Sequence, residues 1–227
     1  DAIAVARRYI YIENQYFTSE TIADALAYRL QEEEGPEVVM VLPRQCSGWL
    51  EESTMGALRS RLILRLRERD LHGRLRVCYP IVPDLGEEHI IVHAKLMVVD
   101  DSLVRVGSAN LSNRSMGSDS ECDLTIEALG EDRSEKAIAR FRNQLLAEHL
   151  GVSPNAVADM LSTRQSLIEV VDELGDSERT LVTVEVEDPE RSEKVLPASA
   201  VFDPERPVSS EKLLEEFVPE DVRKPGK

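Results

Sequence analysis

Short apolar runs alternate with amphipathic stretches along most of this chain. Tyr9 to Ile12 is an unbroken apolar run of strand length, and Val38 to Leu42 is a second that ends at Pro43. Between them, the apolar positions from Ile22 to Leu30 follow helical spacing. From Glu51 to Arg69, Met55, Leu58, Leu62 and Leu66 fall on one helical face, with Arg59, Arg61, Arg65, Arg67 and Arg69 interspersed. Leu75 to Tyr79 predicts the next strand. Ile90 to Val92 and Leu96 to Val99 both read as buried strand, and the turn formers Asp100, Asp101 and Ser102 stop the second. Val104 to Val106 predicts its hairpin return. After the turn-rich stretch Asn113 to Ser120, Leu124 to Ala128 predicts a further strand, and Ser134 to His149 an amphipathic helix closing the core. Strands and helices in alternation predict an α/β fold, a sheet covered by helices.

The texture changes near position 152. Pro154 to Leu174 predicts helix and Leu181 to Val186 alternates like an edge strand. From Asp188 onward prolines and charges dominate, a composition that wraps a surface or stays mobile. The parse is one compact unit over residues 1–152 and an acidic extension over 153–227, partly helical and then irregular. At 227 residues and 42% hydrophobic content, the chain holds one sizeable core. Its net charge of −16 divides into −7 over residues 1–150 and −9 over 151–227. That balance argues against nucleic acid as a partner, because the polyphosphate backbone is held by a surplus of Lys and Arg. Cys46, Cys78 and Cys122 are widely spaced in apolar or strand-like contexts and read as reduced, buried thiols of a cytoplasmic protein. No signal peptide and no apolar run of membrane-spanning length is present, so a membrane lipid would be reached from the surface or through parts of a parent protein.

Candidate chemistry concentrates in HAKLMVVDDSLVRVGSAN: His93, Lys95, Asp100, Gly107, Ser108 and Asn110. Residues i and i+2 of a strand share a face, so His93 and Lys95 are expected to project together. Gly107 would let backbone approach a ligand while Ser108 and Asn110 supply converging polar groups. A neutral imidazole can attack phosphorus to give a phosphohistidine as Lys95, Ser108 and Asn110 neutralise the phosphoryl oxygens. Glu121 is the candidate to fix the tautomer of His93. Asp100 is read either as a turn former or ion-pair partner, or as a proton-transfer group. Lys95 and Lys136 are the only lysines in the first 150 residues, and a Lys within an apolar strand suits a compact charge. His72, His89 and His149 read as structural histidines. The arginine run after Glu51 is either a phosphate or headgroup patch or a solvated helix face. Two strand-end loops are placed to shape a substrate. Asn14 to Phe17 puts Gln15 near the site, and Gln45 to Trp49 offers Trp49 either to the core or to lipid. No clustered ligand spacing indicates a metal, and no cofactor is expected.

At these residues the chain resembles the phospholipase D superfamily, whose signature H-x-K-x4-D-x6-G-S-x-N is matched in full. YIYIENQYFTS, Tyr9 to Ser19, is similar to the opening of the second half of two-motif members, and NRSM followed by Glu121 to the segment after their second motif. The resemblance covers most of residues 7 to 150. It implies a mixed sheet flanked by helices on both faces and two motif-bearing halves sharing one site. One histidine is phosphorylated and the other protonates the leaving alcohol, without a metal in most members. Carried onto this chain, His93 would be one of the pair, in second halves more often the general acid. Lys95, Ser108 and Asn110 would bind phosphate with Gln15 beside them, Glu121 would hold the His93 ring, and Asp100 would be structural. No second H-x-K occurs here. The chain is thus expected to be the C-terminal half of a bacterial phospholipase D-like enzyme, since it starts at Asp1 without Met, or to pair with its own copy as single-motif nucleases do. Hydrolysis or transphosphatidylation of phospholipid is the expected activity. A homodimeric nuclease, another phosphodiesterase or a non-catalytic scaffold half is the alternative. The membrane surface and the missing half are the expected partners.

Overall fold

Among the described residues, seven strands form one mixed sheet. The computed structural model describes residues 1–46, 52–83, 85, 88–175, 178–186 and 203, so the roles expected of Trp49 and most of its loop lie outside the described residues. Strands β1 (Tyr9–Asn14), β2 (Glu37–Val41) and β3 (Leu75–Ile81) run parallel. On the other side of β1, an antiparallel meander of β4 (Lys95–Val99), β5 (Leu103–Gly107) and β6 (Asp123–Glu127) extends the sheet. Strand β7 (Thr180–Thr183) adds antiparallel to β3, giving the order β6-β5-β4-β1-β2-β3-β7.

Apolar residues on both faces explain why the central strands read as continuous runs. Ile10, Ile12, Val38 and Met40 turn toward one cluster, which they share with Leu26 and Leu30 of α2 (Glu20–Gln31) and Leu62 and Leu66 of α3 (Ala57–Arg69). The short α1 (Ala2–Val5) adds Ile3 to that face, and a π-helical turn, Glu52–Gly56, leads into α3. Tyr9, Tyr11, Val39 and Val41 turn the opposite way. They meet α5 (Asp132–Leu150), α6 (Pro154–Arg164) and α7 (Leu167–Leu174) through Leu146, Val157, Leu161 and Val170. Burying one such Leu or Ile side chain is worth about 1.5–3 kcal/mol. Helices therefore cover both faces, as expected, and α6, α7 and β7 of the C-terminal region share this core and sheet. The helix expected over Pro154 to Leu174 is two, because Gln165 takes a left-handed conformation (φ 55°) and Ser166 caps α7 by accepting from the Glu169 amide.

The expected strand at Ile90 to Val92 does not form; residues 90–94 are irregular. The reason lies in the register. Lys95 pairs with Asn14, the last residue of β1, so residues before Lys95 have no β1 partner to bond. The short helix α4 (Asn113–Gly117) also forms within the stretch expected to be turns, with the Ser112 hydroxyl accepting from the Ser115 amide at its start.

The arginine run of α3 is neither a bare phosphate patch nor a simple solvated face. Arg59 is buried and donates to the carbonyls of Pro43 and Arg44, and Arg61 and Arg65 hold Glu20. Arg67 reaches the Val184 carbonyl and Arg69 the Gln31 side chain.

Candidate active site

Strand direction gathers the site at one rim of the sheet. β1 and β5 end there and β4 and β6 begin there, so Asn14, Gly107, Lys95 and Asp123 stand at neighbouring strand ends. Gln15 extends β1, His93 precedes β4, Ser108 to Asn110 extend β5, and Glu121 precedes β6.

Lys95 is 9% exposed, and its Nζ donates to Gln15 Oε1 at 2.9 Å and to the His93 carbonyl at 3.0 Å. Burial lowers the Lys95 pKa from its ordinary value, while the nearby Glu121 carboxylate pulls it back up. Ser108 Oγ donates to Glu121 Oε2 at 2.5 Å and accepts from the Cys122 amide at 2.9 Å. The side-chain oxygen of Asn110 is buried with no hydrogen-bond partner among the described residues. Such an acceptor is costly to leave unmet. Hydrogen bonds thus join Lys95 to Gln15 and Ser108 to Glu121, and the Glu121 carboxylate acts on Lys95, while Asn110 stands two residues beyond Ser108 in the same strand-end loop.

Three details depart from the sequence reading. His93 lies outside β4 and is exposed, so it shares the rim with Lys95 but not a strand face. The hydrogen bond the structure gives Glu121 comes from Ser108 rather than from an imidazole. The room at Gly107 belongs to Asp123, with which any Cβ there would collide. That carboxylate accepts from Arg105 at 2.8 Å and from the Ala109 amide at 3.3 Å, so the glycine lets β6 close onto β5.

Asp100 sits at the far end of β4. Its carboxylate accepts from the amides of Arg7, Arg8 and Tyr9 at 2.8–3.0 Å, and its carbonyl accepts from Arg142. Beside it, Arg142 and Arg8 hold Asp101, and despite burial the pair keeps that carboxyl below its ordinary pKa.

Sequence reasoning missed what lies under the rim. The carboxylate of Glu13 is 3.2 Å from His149 Nε2 and accepts from the Tyr11 hydroxyl at 2.6 Å. Burial first, then Glu13, raises the Tyr11 pKa well above the ordinary value. Asn14 is 1% exposed and braces the loop, its side-chain oxygen accepting from the amides of Leu111 and Tyr16. Phe17, at the end of the loop expected to shape a substrate, is wholly buried. A charged or amide residue closing an apolar run, as in YIYIEN, was the available signal. Cys46 and Cys78 are buried as expected, and burial pushes the Cys78 thiol up to about 12; Cys122 is exposed, contrary to expectation, because β6 is an edge strand.

The family description "Cardiolipin synthase, PLD-like domain" matches residues 1–145, and "Phospholipase D" matches residues 82–217. The chain belongs to the phospholipase D superfamily. This superfamily member is 30% identical over an alignment of 196 residues to Phospholipase D A of Dictyostelium discoideum, with 67% of the chain and 15% of the relative covered. It is 29% identical over 213 residues to a phospholipase D of Phytophthora infestans, covering 71% of the chain and 12% of that protein. Among solved structures, NucT from Helicobacter pylori aligns with a TM-score of 0.45 at 21% identity, over 63% of this chain and 82% of that one. Phosphatidylserine synthase from Haemophilus influenzae aligns at 0.48 and 16% identity, over 72% and 40%. Among the described residues, no helix is long and apolar enough to cross a membrane, and no three His, Cys, Asp or Glu side chains gather as a metal cluster.

Proposed function

We propose that this chain is the second-motif half of a phosphodiesterase that cleaves phospholipids through a phosphohistidine. The observation that carries the reading is the gathering at one rim of a desolvated Lys95 ammonium, the Ser108–Glu121 pair and an exposed His93. The net charge of −16 and the phospholipase D names of the curated relatives favour a lipid over a nucleic-acid diester.

One H-x-K set supplies one imidazole, so the second comes from another motif-bearing half of a longer parent protein. In the first step the partner histidine attacks phosphorus and forms the P–N bond. The P–O bond to the leaving alcohol breaks as His93, in its protonated form, delivers a proton to that oxygen. Lys95 faces the charge that builds on the phosphoryl oxygens. His93, now neutral, takes a proton from water or a second alcohol. That oxygen then displaces the histidine, giving hydrolysis or headgroup exchange.

The test is hydrolysis of phosphatidylcholine and cardiolipin vesicles by the parent protein carrying His93→Ala. Loss by a factor of about 10²–10⁴ is expected. Full activity of that variant overturns the reading. Cleavage of short nucleotide diesters by a self-associated chain overturns it in favour of a homodimeric nuclease.

A further inference from the structure

We propose that Asp203 is a positioning residue for the phosphate-binding side chains; the role rests on the proposed function, but the contact does not. Asp203 is 3% exposed and its carboxylate is met from two separate loops. Thr18 Oγ1 donates to Oδ2 at 2.5 Å across 185 positions of sequence. The amides of Asn113 and Arg114 donate to Oδ2 at 3.1 Å and to Oδ1 at 2.8 Å.

The two loops are those of the site. Gln15, which accepts from Lys95, lies three residues before Thr18, and Asn110, whose side-chain oxygen is unmet, lies three residues before Asn113. Three residues span at most about 10 Å, so fixing Thr18 and Asn113 on one carboxylate restricts where Gln15 and Asn110 can stand. The seam between the loops is also joined by the Leu111 carbonyl, which accepts from the Thr18 and Ser19 amides, by Asn14, which holds the Leu111 amide, and by the Asn113 side-chain oxygen, which accepts from the Glu20 amide at 3.3 Å. Asp203 ties the two loops together from a position 89 to 185 residues away in the sequence. It also completes the start of α4, where Ser112 serves the Ser115 amide and leaves those of Asn113 and Arg114 to the carboxylate.

Substitution separates this role from general stability. Asp203→Ala removes all three bonds. Asp203→Asn keeps one oxygen for two donors but turns an amide NH2 toward a backbone N–H, so its effect should be intermediate. The primary readout is the side-chain amide resonances of Gln15 and Asn110 in the labelled chain, with amide hydrogen exchange at residues 15–20 and 110–117. Asp203→Ala is expected to shift both resonances and speed exchange in those segments about tenfold, while exchange in β1, β2 and β4 is unchanged. Thr18→Val should reproduce the shifts in part and add little on top of Asp203→Ala. In the parent protein, Asp203→Ala should lower kcat with KM for phosphatidylcholine vesicles held within about twofold. Unmoved Gln15 and Asn110 resonances overturn the proposal, with or without turnover. Shifted resonances with an unchanged kcat overturn the positioning role and leave Asp203 structural. A parent protein with no turnover on any phosphodiester refutes the proposed function alone, since the resonances still decide the contact.

Discussion

Ser108 and Glu121 face each other at 2.5 Å across the mouth of the β5–β6 hairpin. The same carboxylate is close enough to Lys95 to oppose the lowering of its pKa by burial. Ser108 therefore anchors the carboxylate that partly offsets that lowering.

Glu121→Gln should lower the Lys95 pKa further below the ordinary 10.5, because burial then acts unopposed. The folded state gives up this proton at lower pH than the unfolded chain does. Stability assigned to Lys95 should consequently rise with pH through the window between its folded and unfolded values. The alkaline limb of activity against pH should move to lower pH in the variant. A Lys95 titration by ¹⁵N NMR that stays put or moves up would contradict this.

Asp100→Ala should damage stability rather than chemistry. Three backbone amides lose their acceptor, and alanine must take the left-handed conformation (φ 52°) that Asp100 adopts. Leaving buried donors unmet costs about 1–3 kcal/mol each where water cannot reach them. Denaturant unfolding should register a loss of that order, with kcat of the surviving folded fraction within a few-fold of the parent.

At Gly107 a single methyl group is the probe. Gly107→Ala drives its Cβ into Asp123, so β6 must back away from β5. A destabilisation of about 1–3 kcal/mol is expected, as for other overpacked sites. Because Ser108 follows directly, activity should fall more than stability does; an unchanged melting temperature would show that β6 yields freely.

Thiol reactivity should separate the cysteines. Exposed Cys122 should react promptly with a neutral disulfide reagent. Buried Cys78, its thiol pushed up to about 12, and buried Cys46 should react only as fast as the fold opens. Blocking Cys122 with a bulky group should also perturb Ser108, which accepts from its amide. Equal rates for all three would contradict the burial pattern.

The order of strands and helices was legible in the sequence because each central strand is apolar on both faces and each covering helix keeps its spacing. The cluster of Lys95, Ser108, Asn110 and Gln15 was legible because its members stand next to strand ends that the runs themselves mark. Ile90 to Val92 misled because composition states what a strand could be made of, while pairing decides whether one exists, and β1 stops at Asn14. Glu13 and Asn14 were hidden by assigning β1 only as far as Ile12, although the strand continues through both. Asp203 left no local signal at all: its partners lie 89 to 185 positions away, and nothing in the surrounding proline-rich sequence marks one aspartate from its neighbours.

Strand β6 closes one side of the described sheet with Leu124 and Ile126 turned out to water, 74% and 58% exposed. Along a free strand edge such side chains invite adhesion between molecules. In the isolated chain, mutual repulsion from a net charge of −16 opposes that adhesion. Colloidal behaviour should thus be inverted relative to a covered surface, with dilute buffer keeping molecules dispersed and added salt, by shortening the Debye length, bringing them into clumps.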